Sequence, residues 1–453
     1  MIITPRPHQL DFAAFHRSHN HLGSFMYHKM GSGKTITGLW EARYHLACMK
    51  NTAPAAKFLV LCPKSAQLTW KNECAKNTPD LLKHMICLPF SQLKKAALRV
   101  KYSDVRFIII DESHNLKSME TDRMVDLVAM LISLRDSIGG FRGGRLLCLT
   151  GTPMPNHAGE VYSTWALCGA KDLSTAIQLL SNQTRFKQWR GTFANSETKV
   201  IPARKNKLTG TRMRGGVAES WKGIQNVDMF MDLMRPITHY VEDIGTKEPT
   251  IVPVDLGLAD DKLLEDADMS KPDMYMKLNH DLSVAKIPYM FDWVEQFLKN
   301  MPDQLLIFSM YTDPLRRLQN KFPGMIALIT GDESDAERKR NVQAFQSGQL
   351  RVIAMSYKCG SESLNLQNAK YSLYHGYPWT DATVKQAMAR TNRQGQQAET
   401  TFHYFLFSGI NDHKNLQRVL AKEEATNILE AGLREGKKET PKQDNVLSLD
   451  TFI

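Results

Sequence analysis

Residues 23–35 read GSFMYHKMGSGKT, an apolar run that ends in a glycine-rich turn just ahead of a lysine and a threonine. The run suits a buried strand. The turn suits a loop whose bare backbone amides curl around phosphate oxygens before a helix begins. The full form of such a loop is a glycine, any four residues, and then Gly-Lys-Ser/Thr. Here His28 stands at the first glycine position, so only the second half is present: Gly31, Ser32, Gly33, Lys34 and Thr35. A half pattern does not by itself define a nucleotide site, and its meaning depends on what occurs at equivalent places further along the chain.

Similar apolar runs follow at 57–63 (KFLVLCP), 106–112 (RFIIIDE) and 145–153 (RLLCLTGTP). Strands covered on both faces of a parallel sheet lose the polar alternation of half-exposed strands, and these runs have lost it. Between them lie segments with helical apolar spacing, Ile36 to Met49 and Met124 to Leu134. Strands alternating with helices predict a doubly wound α/β lobe. A second series starts near Lys286, with QLLIFSM (304–310), MIALITG (325–331), RVIAMSY (351–357) and YSLYHGYP (371–378). The expected fold class is therefore α/β, with two lobes in tandem, each a parallel sheet flanked by helices.

At 453 residues the chain exceeds the size at which one core keeps growing, in keeping with two lobes. The formal charge of +11 favours a polyanionic partner such as nucleic acid. The N-terminal residues, MIITPRPHQL, lack the basic-then-apolar order of a signal peptide, and no apolar stretch approaches membrane-spanning length. The seven cysteines are scattered without Cys-x-x-Cys spacing, which points to a reducing, intracellular setting with thiols buried as small hydrophobes.

Residues 182–225 break the pattern. They hold Arg185, Lys187, Arg190, Lys199, Arg204, Lys205, Lys207, Arg212 and Arg214, mixed with Phe186, Trp189 and Phe193. The stretch reads as a basic, irregular insertion. It is either a solvated charged loop or a surface whose cations meet a nucleic-acid backbone while its aromatics stack on bases. The expected domains are 1–245 for the first lobe, including this insertion, 246–430 for the second, and 431–453 as a flexible tail.

Reactive residues recur where α/β lobes bind ligands, at the carboxyl ends of strands. Lys34 and Thr35 follow the first run and open a helix, whose N-terminal amides favour phosphate. Asp111 and Glu112 follow RFIII; in a nucleotide site the first acid holds Mg²⁺ and the second polarises the attacking water. Thr150-Gly151-Thr152-Pro153 forms a polar turn at the same rim. In the second lobe Gln386, Arg390 and Arg393 fall at i, i+4 and i+7 of a helix that Thr380 or Asp381 can cap and Gly395 can end. Two arginines on one stripe are suited to stabilising the charge of a transferring γ-phosphate.

With these segments the chain resembles the SNF2/Swi2 branch of superfamily 2 helicase-like ATPases over most of residues 5–425. The matching segments, in family order, are RPHQL, KMGSGKT, LVLCPKSAQLTWKNE, IIIDESHNLKS, LTGTPMPN, LLIFSM, GDESDAERKRNVQAFQSG, SYKCGSESLNLQNA and QAMARTNRQGQ. Two further stretches, WKGIQNVDMFMDLMRPITHYVEDI and SVAKIPYMFDWV, are similar to the linkers of the annealing-helicase-like part of that family.

The resemblance implies two RecA-like lobes with ATP and Mg²⁺ as cofactors. Gln9 would read adenine. Gly31, Ser32, Gly33, Lys34 and Thr35 would bind phosphate, with Thr35 and Asp111 on the metal and Glu112 activating water. Arg390 and Arg393 would act as arginine fingers, with Gln386 facing the same cleft. Lys64, Ser65, Thr150, Thr152, Ser356 and Asn365 would contact the DNA backbone or couple it to the ATP site. This sequence departs from the family at His28-Lys29, where Asp-Glu is usual, and at Ser361-Glu362-Ser363, where Gly-Leu-Gly is usual. It departs again at Ala389 and Asn392, which replace the common Asp and His.

The expected function is a DNA-dependent ATPase that translocates on duplex DNA and remodels it or displaces bound protein. The alternative is a strand-separating or annealing helicase; a non-catalytic DNA-binding scaffold is the reading from another class. Short spacing between motifs suggests a compact bacterial or bacteriophage motor acting in the cytoplasm of its host. Residues 446–453, VLSLDTFI, are either a disordered end or a peptide similar to those that dock replication proteins on a sliding clamp.

Overall fold

The computed structural model describes residues 4–435 apart from 30, 95–103, 138–139, 155, 202–203, 206–211, 214–215, 243–249, 257–271, 361–365, 367, 377, 379–386, 389–401, 409–411 and 413–424. It divides into two compact units. The first comprises Met1–Lys29, Lys34–Glu242 and Lys422–Ile453; the second comprises Met30–Gly33 and Asp243–Ala421.

The first unit is built on a six-stranded sheet. Its strands are β1 (Gly23–His28), β2 (Lys57–Cys62), β3 (Met85–Pro89), β4 (Val105–Asp111) and β5 (Arg145–Thr150), joined later in the chain by β10 (Thr238–Val241). Their order is β10-β1-β5-β4-β2-β3, and every pairing is parallel. All six residues of β1 are buried, and β4 is buried up to Asp111, so both faces are covered as the unbroken apolar runs require. Helix α1 (Pro7–Ser18) precedes β1, α2 (Lys34–Cys48) follows it, and α3 (Gln67–Asn77) follows β2. Phe12, Leu39, Trp70 and Phe107 belong to the apolar cluster on one side of the sheet, and Phe25, Ile108, Leu127 and Trp165 belong to the other.

Strand order decides where the chemistry collects. In the register Tyr27 lies beside Thr150 and Asp111 lies beside Leu149, so β1, β5 and β4 end at one rim in adjacent positions. Residues distant in sequence thereby become neighbours at the carboxyl edge, where α/β sheets place their ligands.

The basic stretch 182–225 is more ordered than its composition predicts. Gln183–Phe193 is an α-helix whose N-cap, Asn182, accepts a hydrogen bond from the Arg185 amide. Strand β6 (Asn195–Ile201) then pairs antiparallel with β9 (Gly216–Lys222), and the short β7 (Arg204–Lys205) pairs with β8 (Arg212–Met213). Phe186, Trp189 and Phe193 are 4%, 5% and 0% exposed, which corrects their reading as surfaces for stacking on bases. They fall at i, i+3 and i+7 and form the buried face of the helix. Trp189 packs against Trp165 with ring centroids 4.6 Å apart and donates from its indole to the Ala158 carbonyl.

The second unit repeats the architecture. Strands β11 (Thr250–Val254), β12 (Leu305–Ser309), β13 (Ile326–Ile329), β14 (Val352–Ser356), β15 (Tyr371–His375) and β16 (Phe402–Ser408) form a parallel sheet in the order β11-β16-β15-β12-β14-β13. Helices Ile287–Asn300, Thr312–Lys321 and Asp335–Gln346 alternate with these strands. The last opens with a capping box in which the Ser334 hydroxyl accepts from the Glu337 amide and Glu337 accepts from the Ser334 amide. The mixed α/β class with two parallel sheets is as the alternating apolar runs predict.

The chain end returns to the first unit. The sequence places 422–430 with the second lobe and 431–453 in a tail, whereas the helix over 425–435 groups with the first unit. Ala425, Leu429 and Leu433 enter the first unit's core, an i, i+4, i+8 stripe. Gly432 lies so close to Met231 that a Cβ there would meet its sulfur at 2.7 Å, so this helix approaches its neighbour through a residue without a side chain. Residues 446–453 lie outside the described residues. Six cysteines are buried, as expected of small hydrophobes, and Cys48 is exposed. Among the described residues no helix is long and apolar enough to cross a membrane.

Candidate nucleotide site

The loop after β1 turns through Gly31 and Gly33, whose φ angles of 75° and 85° lie in the left-handed region that favours glycine. Helix α2 begins at Lys34, so the lysine sits at a helix N-terminus. Its ammonium donates to the carbonyls of His28 at 2.9 Å and Lys29 at 3.3 Å, which holds the cation over the end of β1. His28, the departure from the glycine pattern, is fully buried and pairs through its ring with His239 at 2.8 Å. The wider loop thus loses a glycine and gains a packed imidazole, while Gly31, Gly33 and Lys34 keep the features a phosphate needs.

Gln9 and Thr37 tie α1 to α2. The Gln9 amide donates to the Thr37 hydroxyl at 2.9 Å, and its carbonyl oxygen accepts from the Arg6 amide at 2.9 Å. Gln9 is 5% exposed, beside the helix that carries Lys34 and Thr35.

The two acids lie at the end of β4. Asp111 Oδ2 accepts from the Trp70 indole at 2.8 Å, and Oδ1 accepts from the Glu112 amide at 3.0 Å. Burial pushes the Asp111 carboxyl up to about 7, and the neighbouring Glu112 charge adds to the rise; Lys34 acts the other way. Glu112 itself adopts φ 50° and ψ 53°, a left-handed conformation rare for a non-glycine residue and concentrated at functional sites. A divalent cation fits here. Two adjacent carboxylates offer hard oxygen donors, and positive charge would relieve the repulsion that lifts Asp111. Among the described residues no group of three or more His, Cys, Asp and Glu side chains is placed to hold a metal ion by itself.

Thr150, at the end of β5, joins this network. Its hydroxyl lies 2.9 Å from His114 Nδ1 and donates to Glu112 Oε2 at 3.4 Å, and it accepts from the Thr152 amide at 3.1 Å. Burial lowers the His114 pKa, against the opposing pull of Glu112, which favours the neutral imidazole. The polar turn 150–152 is thereby bonded to the acid that would orient water. Lys64 and Ser65 stand in a short helical turn after β2, with Lys64 exposed.

Lys34, Asp111, Glu112 and Thr150 are all in the first unit, at neighbouring strand ends. Ser356 closes β14 in the second unit, where its hydroxyl accepts from the Cys359 amide at 3.4 Å. Gln386, Arg390, Arg393 and Asn365 lie outside the described residues. Sequence reasoning assigned no role to Trp70, His114 or Glu430. Trp70 and His114 lie within recognised segments, but which side chain faces them depends on strand order; no sequence signal points to Glu430.

A parallel α/β sheet with a glycine loop and lysine after one strand, paired acids after a second and a hydroxyl turn after a third defines a helicase-like nucleotide-binding protein. The family model for the helicase conserved C-terminal domain matches residues 289–395. Over 452 residues the chain is 24% identical to chromodomain-helicase-DNA-binding protein 1-like of Danio rerio, covering 86% of this chain and 40% of the relative. It is 22% identical to the human DNA annealing helicase and endonuclease ZRANB3, covering 85% of this chain and 36% of the relative. It is 21% identical to the DNA repair and recombination protein RAD54 of Saccharomyces cerevisiae, covering 87% and 52%. The chain spans about half the length, or less, of these curated relatives. The helicase C-terminal match and these relatives together support a helicase-like ATPase of the SNF2 kind.

Proposed function

We propose that this protein is a DNA-dependent ATPase that moves along duplex DNA and remodels it or displaces bound protein. The observation that carries the reading is the convergence of Lys34, Asp111 and Glu112 at neighbouring strand ends, with Thr150 bonded to Glu112. Lys34 neutralises the β and γ phosphates, Thr35 and Asp111 hold Mg²⁺, and Glu112 orients the attacking water. Mg²⁺ supplies charge neutralisation at the phosphates. Gln9 recognises adenine, and Ser32 with the glycine amides cradles phosphate. Arg390 and Arg393 complete the site with positive charge, and Gln386 faces the same nucleotide.

The chemistry beyond hydrolysis is a change of grip on the DNA backbone. Lys64, Ser65, Thr152, Ser356 and Asn365 contact phosphates or relay the nucleotide state, with Thr150 and His114 as the link to Glu112. Contacts with phosphates carry little sequence information, so binding weakens with salt and is broadly sequence-independent. A formal charge of +11 and similarity to DNA-acting relatives support DNA as the polyanion.

Similarity to an annealing helicase supports a second reading, action on forked or single-stranded DNA. Turnover of ATP measured without nucleic acid and with single-stranded, duplex and forked DNA and RNA separates the two. Stimulation by duplex DNA, together with displacement of a triplex strand, supports translocation. Stimulation by single strands or forks alone supports the second reading, and no turnover under any condition overturns both.

Apart from the basic stretch 182–225 the motifs follow one another closely, which supports a compact motor of a bacterial or phage-infected cytoplasm. Residues 446–453 are proposed to dock a sliding clamp or another replication or transcription protein. Deleting 444–453 then leaves DNA-stimulated turnover intact and reduces clamp or partner binding; unchanged binding removes the docking role.

A further inference from the structure

Trp70 occupies a position that its packing alone does not explain. It lies in α3 and is 1% exposed, and its indole N–H donates to Asp111 Oδ2 at 2.8 Å. Buried indoles need an acceptor, and most find a backbone carbonyl or hydroxyl at no functional consequence. Here the acceptor is the first of the two acids at the strand end. The indole N–H can only donate, so this contact survives no exchange of roles and holds one carboxylate oxygen in place. The other oxygen accepts from the Glu112 amide at 3.0 Å, so the carboxylate plane is set at both ends. Each oxygen keeps a second lone-pair direction for a cation or its water.

The far edge of the same ring rests on α2. A Cβ at Gly38 would stand 3.2 Å from Trp70 Cη2, so the close approach depends on glycine. Gly38 is one turn beyond Lys34 in that helix. One rigid side chain therefore touches the helix that carries Lys34 and Thr35 and fixes the acid at the end of β4.

We propose that Trp70 is a positioning residue that sets Asp111 in the orientation in which it receives Mg²⁺ with ATP, indexing the acid to helix α2. The inference rests on the reading of Asp111 as the metal-holding acid. Outer partners of metal ligands typically contribute about 10–100-fold to metal affinity.

Trp70→Phe keeps a ring against Gly38 and removes only the donor. In the full chain the Mg²⁺ concentration for half-maximal ATP turnover rises about tenfold. The KM for ATP at saturating Mg²⁺ stays within about twofold, and excess Mg²⁺ restores the rate. Independently of turnover, binding of a fluorescent ATP analogue weakens only when Mg²⁺ is present. In the indole proton–nitrogen spectrum, the resonance missing in Trp70→Phe is the one that shifts in Asp111→Asn. A folded Trp70→Phe with wild-type Mg²⁺ dependence overturns the proposal. Asp111→Asn separates the two levels: full turnover in that variant overturns the reading of the site, and this inference with it. An inactive Asp111→Asn beside a normal Trp70→Phe overturns this inference alone. Should Trp70→Phe fail to fold, Gly38→Ala displaces the ring instead; it is expected to raise the Mg²⁺ requirement at least about twofold and to shift the same resonance. An unchanged requirement overturns the proposal.

Discussion

Glu430 accepts a hydrogen bond from the Lys29 ammonium, 401 residues away along the chain, at the foot of the glycine loop. The same carboxylate accepts from the hydroxyls of Tyr27 and Tyr240. Burial alone would push its pKa up, but Lys29 and the two tyrosines hold it below the ordinary glutamate value. The lysine at position 29 and the glutamate in the last described helix are thus matched within this chain. Around them, Arg235 donates to the Gly432 carbonyl at 3.1 Å and Thr426 to the Met154 carbonyl at 2.9 Å.

Removing one partner of such a pair leaves the other buried and uncompensated. Glu430→Ala is expected to lower stability by roughly 3 kcal/mol, read as a loss of urea midpoint. Double replacement by Lys29→Met and Glu430→Leu, which leaves no buried charge, is expected to recover most of that loss. A single variant as stable as the wild type would show that the helix does not depend on the pair.

Lys34→Ala is expected to reduce ATP turnover by about a hundredfold or more, in keeping with the loss of a charged group that stabilises the transition state. The melting temperature is expected to change little, because the Lys34 ammonium bonds to two backbone carbonyls that end at a partly solvated loop. Multiple-turnover and melting measurements on the same preparation check both halves.

Asp111 gives a pH dependence with a definite sign. Its folded pKa, about 7, lies above its ordinary value of 3.8. The folded chain therefore holds this proton more tightly than the unfolded chain, and its contribution favours folding at low pH and is lost as pH rises from about 4 to 7. In metal-free protein, Asp111→Asn is expected to gain on the order of 1–3 kcal/mol over wild type at pH 8, and to gain nothing near pH 4. Denaturant titrations at both pH values check the crossover.

Trp189→Ala tests the corrected role of the basic stretch. As a buried ring tilted against Trp165 and edge-on to Phe193, Trp189 is expected to cost about 3–5 kcal/mol of stability when truncated. Salt-dependent DNA affinity of the remaining folded fraction is expected to stay unchanged. An unaltered melting temperature with weakened DNA binding would restore the stacking role.

Much of this protein was legible from the chain alone. Apolar runs such as RFIIIDE have the length and the unbroken hydrophobicity of strands buried on both faces, and that pattern is local. The placing of Lys34 and the Asp111–Glu112 pair at strand ends was legible for the same reason: each follows such a run directly. The phenylalanines and tryptophan of 186–193 were misread because the density of cations masked a helical spacing that the aromatics alone would have shown.

What the chain could not disclose were the pairings between distant segments. Strand order, which sets β1, β5 and β4 side by side, follows from how two-faced sheets bury their surfaces together, and no single strand carries it. Trp70 meets Asp111, and Glu430 meets Lys29, only because tertiary packing brings a donor and an acceptor together where water has been excluded. A hydrophobic period reports which face is buried. The identity of what lies against that face is a property of the whole fold.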